Sequence, residues 1–307
     1  MQTTVAIPAV SSRSSRLSVS DKAEAYLALT KPRIIELLLI TTVPMMVVAA
    51  RGIPDLQLVA LTLVGGTLAA GGANAINMYV DRDIDAVMKR TARRPLVTGV
   101  IAPRNALAFA ASLELIAAIV LWEFVNPLSS ILALSATAFY VCVYTVWLKR
   151  SSPNNIVIGG AAGAVPVLIG WSAVTNTLGW APLFGFLIIF LWTPPHFWAL
   201  AVRYKDDYAS VDVPMLPVVS SFDSTTKQMV WYAGGTWIAS IGFAIVARMG
   251  VIYWVTATIS GALFTRATVS LQDDRGPQRA MRVFAFSITY VTVLFAAMAL
   301  DQVVVGR

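Results

Sequence analysis

Residues 57–85 read QLVALTLVGGTLAAGGANAINMYVDRDID, an uncharged and mostly apolar run that ends in three aspartates. An α-helix that crosses a bilayer needs about 20 predominantly apolar residues, and this run supplies them. Where the run ends, Asn77, Asp81 and Asp85 follow one another at intervals of four residues. Four residues turn an α-helix by about 400°, so the three side chains lie within roughly 80° of one another. The stretch predicts a membrane-spanning helix with a row of oxygen ligands at its mouth.

The composition of the chain predicts an all-α membrane protein. Of its 307 residues, 57% are hydrophobic and 13% charged, and the mean hydropathy is +0.72. This balance excludes an ordinary soluble domain. In a membrane protein a net charge of +7 reflects the basic residues of cytoplasmic loops, so we expect no nucleic-acid partner. Cys142 is the only cysteine and His196 the only histidine, which excludes an intramolecular disulfide and a multi-histidine zinc site.

The number and the orientation of the membrane spans follow from hydropathy and charge. Nine apolar stretches are long enough to cross a bilayer, at about 34–50, 57–79, 104–124, 129–147, 155–174, 180–202, 228–248, 251–268 and 281–299. With a cytoplasmic N-terminus, all of the 23 lysines and arginines except Arg51, Arg248 and Arg307 fall on the inner side. We therefore predict a multi-pass protein of a bacterial cell membrane with about nine transmembrane helices. Its acid row faces the cytoplasm, and its C-terminus lies outside.

Residues 1–25 are predicted to form a disordered cytoplasmic tail, and residues 26–307 a single polytopic transmembrane domain. Residues 1–20 contain serines and arginines without an acid before Asp21, a composition shared with transit peptides. Because they show neither a clear amphipathic helix nor a cleavage signal, we favour the tail of a bacterial protein.

The acid row has the residue types that a hard divalent cation prefers. Proteins usually hold Mg²⁺ with one or two carboxylates together with the phosphates of a substrate. An aspartate at the C-terminal end of a helix opposes the helix dipole, so it costs energy there unless a cation balances it. The alternative is a solvated helix end, at which Asp81, Asp83 and Asp85 only keep the loop in water. We favour a metal site formed by Asn77, Asp81 and Asp85.

Four basic residues follow the acid row within six positions, namely Lys89, Arg90, Arg93 and Arg94. The preference for positive charge on the inside predicts basic loops, but it does not predict such a dense cluster beside acids. Acids for a metal next to bases for an anion indicate a site for a metal-diphosphate group. Lys149 and Arg150 end the fourth span behind Tyr144, and they either anchor the loop or contact the same anion.

A second acidic cluster, RYKDDYASVD at residues 203–212, ends the sixth span. Asp206 and Asp207 are flanked there by Arg203 and Lys205, which repeats the combination of acid and base. Spans two and six both run toward the cytoplasm, so clusters four helices apart predict an internal repeat of parallel topology. We expect two metal-binding helix ends that face each other, with Asp206 and Asp207 as further ligands.

His196 lies in the segment LWTPPHFWAL, inside the sixth span. An ionisable side chain within a membrane helix indicates a functional site, and Pro194 and Pro195 would free backbone groups around a cavity. The alternative is a neutral imidazole packed against Trp192 or Trp198.

Taken together, these motifs resemble the UbiA-type intramembrane prenyltransferases. NMYVDRDID at residues 77–85 matches the N-x3-D-x3-D motif of that family. TKPR, DRDIDAVMKRTARRPL, YTVWLKR, WTPPHFW, YKDDY and VPMLPVV are similar to the branch that makes haem O, over about residues 26–300. The second motif departs from the D-x3-D of many members. Four positions after Asp206 and Asp207 stand Ser210 and Val211, and Asp212 is out of helical register.

The resemblance implies a UbiA-type helical bundle with an active-site cavity open to the cytoplasm. It implies farnesyl diphosphate and haem B as substrates, a requirement for Mg²⁺, and a haem A synthase or terminal-oxidase assembly factors as downstream partners. The metal ligands that it implies are Asn77, Asp81, Asp85, Asp206 and Asp207. The residues that it implies for diphosphate binding and catalysis are Arg90, Arg94, Lys149 and Lys205, with Lys89, Arg93, Tyr144, Arg150 and Arg203 as further substrate contacts. His196 is implied to ligate or orient the haem iron.

Two alternatives stay open. A prenyltransferase of the same fold with an aromatic quinone precursor as acceptor would share the metal row and differ in what fills the cavity. An ion-coupled transporter could also use a parallel repeat with acids at helix ends, but transporter sites lie near the bilayer midplane. The acids of this chain lie at the cytoplasmic mouth beside arginines suited to phosphate, which favours an enzyme.

Overall fold

The computed structural model describes residues 18–273 and 275–305, and these residues form helices and connecting segments with no strand among them. In chain order the helices are α1 (Val19–Thr30), α2 (Pro32–Ala50), α3 (Leu56–Val80), α4 (Arg82–Val87), α5 (Pro103–Phe124), α6 (Pro127–Ala138), a π-helix (Phe139–Leu148), α7 (Lys149–Ser151), α8 (Asn155–Thr175), α9 (Trp180–Arg203), α10 (Lys205–Ala209), α11 (Leu216–Val219), α12 (Phe222–Val246), α13 (Val251–Asp273) and α14 (Pro277–Val304). The predicted all-α fold class is confirmed.

The long helices coincide with the predicted spans. Helices α3, α5, α8, α9, α12 and α14, and the continuous segment Pro127–Ser151 formed by α6, the π-helix and α7, are long and apolar enough to cross a membrane. Helix α2, with its apolar stretch Ile40–Ala50, and helix α13 complete the predicted set, and their crossing of the membrane stays a prediction. The multi-pass membrane architecture is thus confirmed.

Prolines and capping side chains determine where several helices begin. Helices α2, α5, α6 and α14 start at a proline, whose fixed φ suits the first turn and whose missing N–H is not needed there. Helix α1 starts after Ser18, whose Oγ accepts a hydrogen bond from Asp21 N at 3.0 Å while Asp21 Oδ2 accepts one from Ser18 N at 2.9 Å. This capping box places ordered helix inside the predicted tail 1–25. Residues 1–17 of that tail lie outside the described residues.

The order in which the long helices contact one another repeats along the chain. Helix α3 contacts α5, α5 contacts α6, and α6 contacts α8; the same order recurs in α9, α12, α13 and α14. Contacts of α2 with α3, α8 and α14, and of α8 with α9, close the bundle. This recurrence, four long helices later, is in keeping with the predicted parallel repeat.

The N-terminus of α13 is capped by a side chain of the next helix. Asp301 in α14 is 1% exposed. Its carboxylate accepts hydrogen bonds from the backbone N–H groups of Gly250, Ile252 and Tyr253 at 2.5, 3.0 and 3.2 Å. The first turn of an α-helix has no internal acceptors for such groups, so the carboxylate supplies them and ties α13 to α14.

We expect Asp301→Ala to lower the free energy of unfolding by about 2–3 kcal/mol, because three N–H groups lose their acceptor. Thermal unfolding in detergent, followed by circular dichroism, measures the loss. The matched control is Asp55, which caps α3 from an exposed position by accepting a hydrogen bond from Leu58 N at 2.8 Å. Asp55→Ala should cost about 1 kcal/mol or less. Equal losses in the two variants would contradict the special role of the buried cap.

Candidate active site

A cavity of about 330 Å³ lies between α2, α3, α8, α9 and the continuous segment of α6 and the π-helix. Its volume is typical of small-molecule sites. The polar side chains at its mouth are Lys31, Asn77, Asp81, Asp85, Arg90, Arg94 and Lys149. The deeper wall is built largely from small residues, among them Gly66, Ala69, Ala70, Ala73, Ala133, Ala136 and Gly163. The cavity therefore joins an ionic end to an apolar end.

The predicted acid row lies on one wall of this mouth. Asn77 is in the last turn of α3, Asp81 separates α3 from α4, and Asp85 is in α4. Backbone hydrogen bonds from Asp81 N to Asn77 O and from Asp85 N to Asp81 O, both 2.9 Å, carry the helical register across the junction. The three side chains consequently share one face, as predicted, and are at most 3% exposed.

Both carboxylates of the row are paired with basic side chains. Asp81 Oδ2 forms an ion pair with Lys149 Nζ, and Asp85 Oδ2 forms one with Arg94 Nη1. Buried charges are retained when they are paired in this way, because desolvation is otherwise too costly. The mouth thus holds its acids and its bases in mutual contact.

Asn77 links the row to two other parts of the bundle. Its Oδ1 accepts a hydrogen bond from Lys31 Nζ at 2.6 Å, and its Nδ2 donates to Asp81 Oδ2 at 2.9 Å and to Thr145 Oγ1 at 3.0 Å. Burial, assisted by neighbouring positive charges, lowers the pKa of Lys31 to about 7.

One oxygen of the row fits a cation. Asp81 Oδ1 is buried and accepts no hydrogen bond from any described residue, and the Arg150 guanidinium is 3.8 Å away. A buried carboxylate oxygen without a donor is costly unless a cation meets it. Among the described residues, no group of three or more acidic, histidine or cysteine side chains could hold a metal ion by itself. Two carboxylates and one amide therefore fit a Mg²⁺ ion shared with the phosphates of a substrate, rather than a closed protein cage.

The second acidic cluster does not join this row. Asp206 is exposed, and neither it nor Asp207 belongs to the described lining of the cavity. Arg203 and Lys205 are also exposed and lie outside that lining. The physical reason is a break in the helix, since α9 ends at Arg203 and the chain turns at Tyr204 (φ −107°, ψ 26°) before α10. Two metal-binding helix ends that face each other are not seen among the described residues. The roles assigned to these four side chains stay predictions.

Asp207 instead contacts the basic loop that follows the acid row. Its Oδ2 accepts a hydrogen bond from Arg90 N at 3.2 Å. The Arg90 guanidinium lies over the rings of Tyr204 and Tyr208, 5.5 and 6.0 Å from their centroids. Tyr208 lines the cavity, and burial raises its pKa. Tyr208 was not predicted from the sequence, in which its spacing of four from Tyr204 is the signal that could have indicated it.

The four clustered bases divide into two pairs. Arg90, which is exposed, and Arg94 line the cavity, whereas the exposed Lys89 and Arg93 lie outside its described lining. Arg90 and Arg94 are therefore placed to contact a diphosphate at the mouth. The substrate contacts assigned to Lys89 and Arg93 stay predictions.

Lys149 and Arg150 are adjacent in sequence and both approach Asp81, but their closest partners differ. Lys149 lines the cavity beside Asp81, whereas Arg150 donates two hydrogen bonds of 2.7 Å to the Asp83 carboxylate. Chiefly through these bonds, Arg150 lowers the pKa of Asp83 to about 2. The stabilisation from this exposed pair is present above the unfolded-state pKa of the carboxyl and is lost as the pH falls toward 2. Asp83 and Arg150 thus form an exposed ion pair at the surface, and Asp83 is not part of the acid row.

Tyrosines of the π-helix form part of the wall near the charged mouth. Tyr140 and Tyr144 stack with ring centroids 5.5 Å apart at an angle of 13°, and both line the cavity. A Cβ at Gly159 of α8 would lie 2.3 Å from Tyr144 Cδ2, so only glycine permits this approach. Tyr144 was predicted as a substrate contact, and Tyr140 was missed. Stretches of π-helix are frequent at functional sites.

His196 is a residue of α9 whose side chain packs against α14, outside the described lining of the cavity. Its ring stacks between Trp192 and Phe284, with centroids 4.2 and 4.5 Å away, and its Nδ1 is 2.7 Å from Ser287 Oγ. Packing against Trp192 was the alternative to a haem-binding role. Contact with haem iron stays a prediction.

Comparison with known proteins was made by sequence and by fold. Residues 38–295 match the UbiA prenyltransferase family. A protein of Frankia casuarinae named protoheme IX farnesyltransferase is 53% identical over 290 residues, which are 93% of this chain and 100% of the relative. Proteins of the same name from Clavibacter michiganensis subsp. michiganensis and Streptomyces coelicolor are 51% and 50% identical. They cover 95% and 91% of this chain, and 97% and 91% of their own lengths are matched.

Solved structures show the same fold at low sequence identity. The structure reported for digeranylgeranylglyceryl phosphate synthase has a TM-score of 0.76 and 20% identity, and the match covers 92% of this chain and 99% of that one. A UbiA homologue from Archaeoglobus fulgidus bound to GPP and Mg²⁺ has a TM-score of 0.61 and 18% identity, with 89% and 99% covered. The predicted UbiA-type bundle is thus confirmed. With the sequence match over most of its length, the chain belongs to the UbiA prenyltransferase family.

Proposed function

We propose that this prenyltransferase transfers the farnesyl group of farnesyl diphosphate to the 2-vinyl group of haem B and thereby makes haem O. The observation that carries the proposal is the identity of about half of all residues, over nearly the whole chain, to relatives named protoheme IX farnesyltransferase. The cavity supports it, because a charged mouth suited to diphosphate opens into an apolar space suited to a prenyl chain.

The side chains at the mouth have distinct tasks in this reaction. Asn77, Asp81 and Asp85 would hold Mg²⁺, which when bound neutralises the diphosphate and makes it a better leaving group. Lys149 and Arg94 contact two of these acids, so a phosphate oxygen bound beside the acids is within their reach. Their positive charge acts where negative charge grows as the C1–O bond breaks, which lowers the barrier rather than only strengthening binding.

The wall near the mouth suits the cation that the departing diphosphate leaves behind. Tyr140 and Tyr144 line the cavity there, and aromatic rings attract a cation without reacting as a strong base. The electron pair of the vinyl group forms the new carbon–carbon bond to C1 of the farnesyl group. Water then adds to the carbocation left on the vinyl carbon and releases one proton, which gives the hydroxyethylfarnesyl substituent and free diphosphate.

Asp207 of the second acidic cluster contacts Arg90 at the mouth of the cavity. We propose that Asp207 positions the loop after the acid row through its hydrogen bond to Arg90 N, so that the Arg90 side chain is available to the diphosphate. The basic residues around this mouth favour a cytoplasmic orientation, with the N-terminus inside and the C-terminus outside.

The reaction can be tested with purified protein in detergent. We would incubate it with haem B, farnesyl diphosphate and Mg²⁺, then separate the haems by chromatography with mass detection, with Asp81→Ala as control. Haem O made by the parent, and formed at least about a hundredfold more slowly by the variant, is the expected result. If the folded parent made no haem O but prenylated a phenolic acceptor, the assignment of the fold would stand and haem B would be rejected as the acceptor.

The role of His196 is open to a binding measurement. We expect His196→Ala to weaken haem B binding by about 10–100-fold, as loss of a metal-ligand contact does, and to leave farnesyl diphosphate binding unchanged. Absorbance titration with haem B and calorimetric titration with farnesyl diphosphate and Mg²⁺ measure the two affinities. Ser287→Ala, which removes the partner of Nδ1, is the control for packing. Equal losses of both ligands in His196→Ala would show that the residue only packs α9 against α14.

A further inference from the structure

The apolar part of the cavity extends far beyond the residues that the chemistry uses. Two glycines on different helices line it, Gly163 of α8 and Gly66 of α3. A Cβ built on either glycine would meet no atom of the described residues within 4 Å, so both face open space. The neighbouring Gly159 and Gly160 differ, since a Cβ there would lie 2.3 Å from Tyr144 and 3.0 Å from Thr193. Gly163 and Gly66 are therefore positions at which a larger side chain would project into the cavity.

The two glycines lie at different depths below the mouth. At 1.5 Å per residue, Gly66 is about 22 Å along α3 from Asp81, and Gly163 is about 12 Å along α8 from Asn155. Asn155 is close to the level of the mouth, because its Nδ2 donates to Lys149 O at 3.5 Å and Lys149 pairs with Asp81. Gly163 thus marks the middle of the cavity and Gly66 lies near its floor.

The anchoring point of a ligand is given by the mouth. The Asp81 side chain is fully buried, lines the cavity, and has an oxygen that accepts no hydrogen bond from any described residue. A diphosphate bound there fixes C1 of the prenyl chain near the top of the cavity. An extended farnesyl chain is about 14 Å long and a geranylgeranyl chain about 19 Å, at about 1.25 Å of advance per carbon–carbon bond. At these lengths the end of farnesyl lies just past the level of Gly163 and about 8 Å short of Gly66, whereas the end of geranylgeranyl comes within about 3 Å of the level of Gly66.

We propose that Gly163 and Gly66 determine the length of the prenyl diphosphate that this chain accepts, and that its cavity admits a geranylgeranyl chain as well as farnesyl. The proposal rests on the proposed function for the diphosphate end of the site and is independent of the acceptor. Bulk at Gly163 excludes farnesyl, and bulk at Gly66 excludes only the longer chain. Replacing a helical glycine by leucine also favours the helix, so both variants keep the fold.

The test measures binding of dimethylallyl, geranyl, farnesyl and geranylgeranyl diphosphates, each with Mg²⁺ and without haem, to the detergent-purified full chain. The parent should bind geranylgeranyl diphosphate within about tenfold of farnesyl diphosphate. Gly163→Leu should weaken farnesyl diphosphate by at least about tenfold and dimethylallyl diphosphate by less than about threefold. Gly66→Leu should weaken geranylgeranyl diphosphate by at least about tenfold and leave farnesyl diphosphate within about threefold.

A matched control is Gly234→Leu on α12, because that glycine is also open around its Cβ but lies outside the described lining of the cavity. It should leave all four affinities unchanged. Equal weakening of every chain length by Gly163→Leu, or equal weakening of farnesyl and geranylgeranyl diphosphates by Gly66→Leu, would overturn the proposal. The binding measurement contains no haem. If the parent bound farnesyl diphosphate but made no haem O, only the assignment of haem B as acceptor would therefore be rejected.

Discussion

Asp81→Ala is expected to lower the rate of haem O formation by about 10²–10³-fold at saturating substrate concentrations. Asp81 is fully buried at the mouth, one of its oxygens accepts no hydrogen bond from any described residue, and the other pairs with Lys149. Its loss removes a ligand for Mg²⁺ and releases the lysine from its position. Time courses of haem O, quantified by chromatography with mass detection, measure the effect.

The matched control for this variant is Asp83→Ala, two residues along the same run of aspartates. Asp83 is exposed and bonds Arg150 at the surface, so its loss should change the rate by less than about threefold. Removing one member of a buried ion pair also costs about 3–5 kcal/mol of stability, so rates are compared per folded protein and Asp81→Asn is measured in parallel. Similar losses in Asp81→Asn and Asp83→Ala would contradict the assignment of the row.

Lys149→Met is expected to lower the rate by about 10²-fold, because it removes a positive charge beside the bond that breaks. The apolar stem of the lysine is largely kept by methionine, so packing changes little. Measurement of kcat and KM separates the two possible effects. A fall in kcat indicates stabilisation of the departing diphosphate, whereas a rise in KM alone would indicate binding only.

Arg150→Met provides the comparison for this second variant. The arginine follows Lys149 directly and carries the same charge, but it donates its two 2.7 Å hydrogen bonds to Asp83, lies outside the described lining of the cavity and is 3.8 Å from Asp81 Oδ1. We expect its rate to stay within about threefold of the parent, as for other exposed ion pairs. If both substitutions reduced kcat alike, the general basic character of the segment, rather than the position of Lys149, would be responsible.

The first acid row could be predicted from the sequence because its geometry is local. Spacings of four residues specify one face of a helix, and the backbone hydrogen bonds at Asp81 and Asp85 preserve that face across the junction of α3 and α4. The fold class followed from hydropathy in the same way.

The contact between the second acidic cluster and the loop that follows the acid row could not be predicted in this manner. The spacing of Asp206 and Asp207 from the sixth span predicts their helix face only if α9 continues past Arg203. The chain instead turns at Tyr204. Where Asp207 meets Arg90, the contact joins residues far apart in sequence, which periodicity does not reveal. The aromatic partners of His196 come from α9 and α14 together, so they too depend on tertiary packing.

The π-helix has a consequence for which sequence changes this segment can accept. In an α-helix the nine residues from Tyr140 to Lys149 turn by about 900°, which would put the two side chains on opposite sides. With about 4.4 residues per turn they return to within about 20° of each other, and the hydrogen bond from Lys149 N to Tyr144 O shows this wider winding. Deleting one residue between Phe139 and Leu148 would change this register and rotate Lys149 away from Asp81. Evolution can therefore exchange side chains in this segment far more freely than it can change the number of residues.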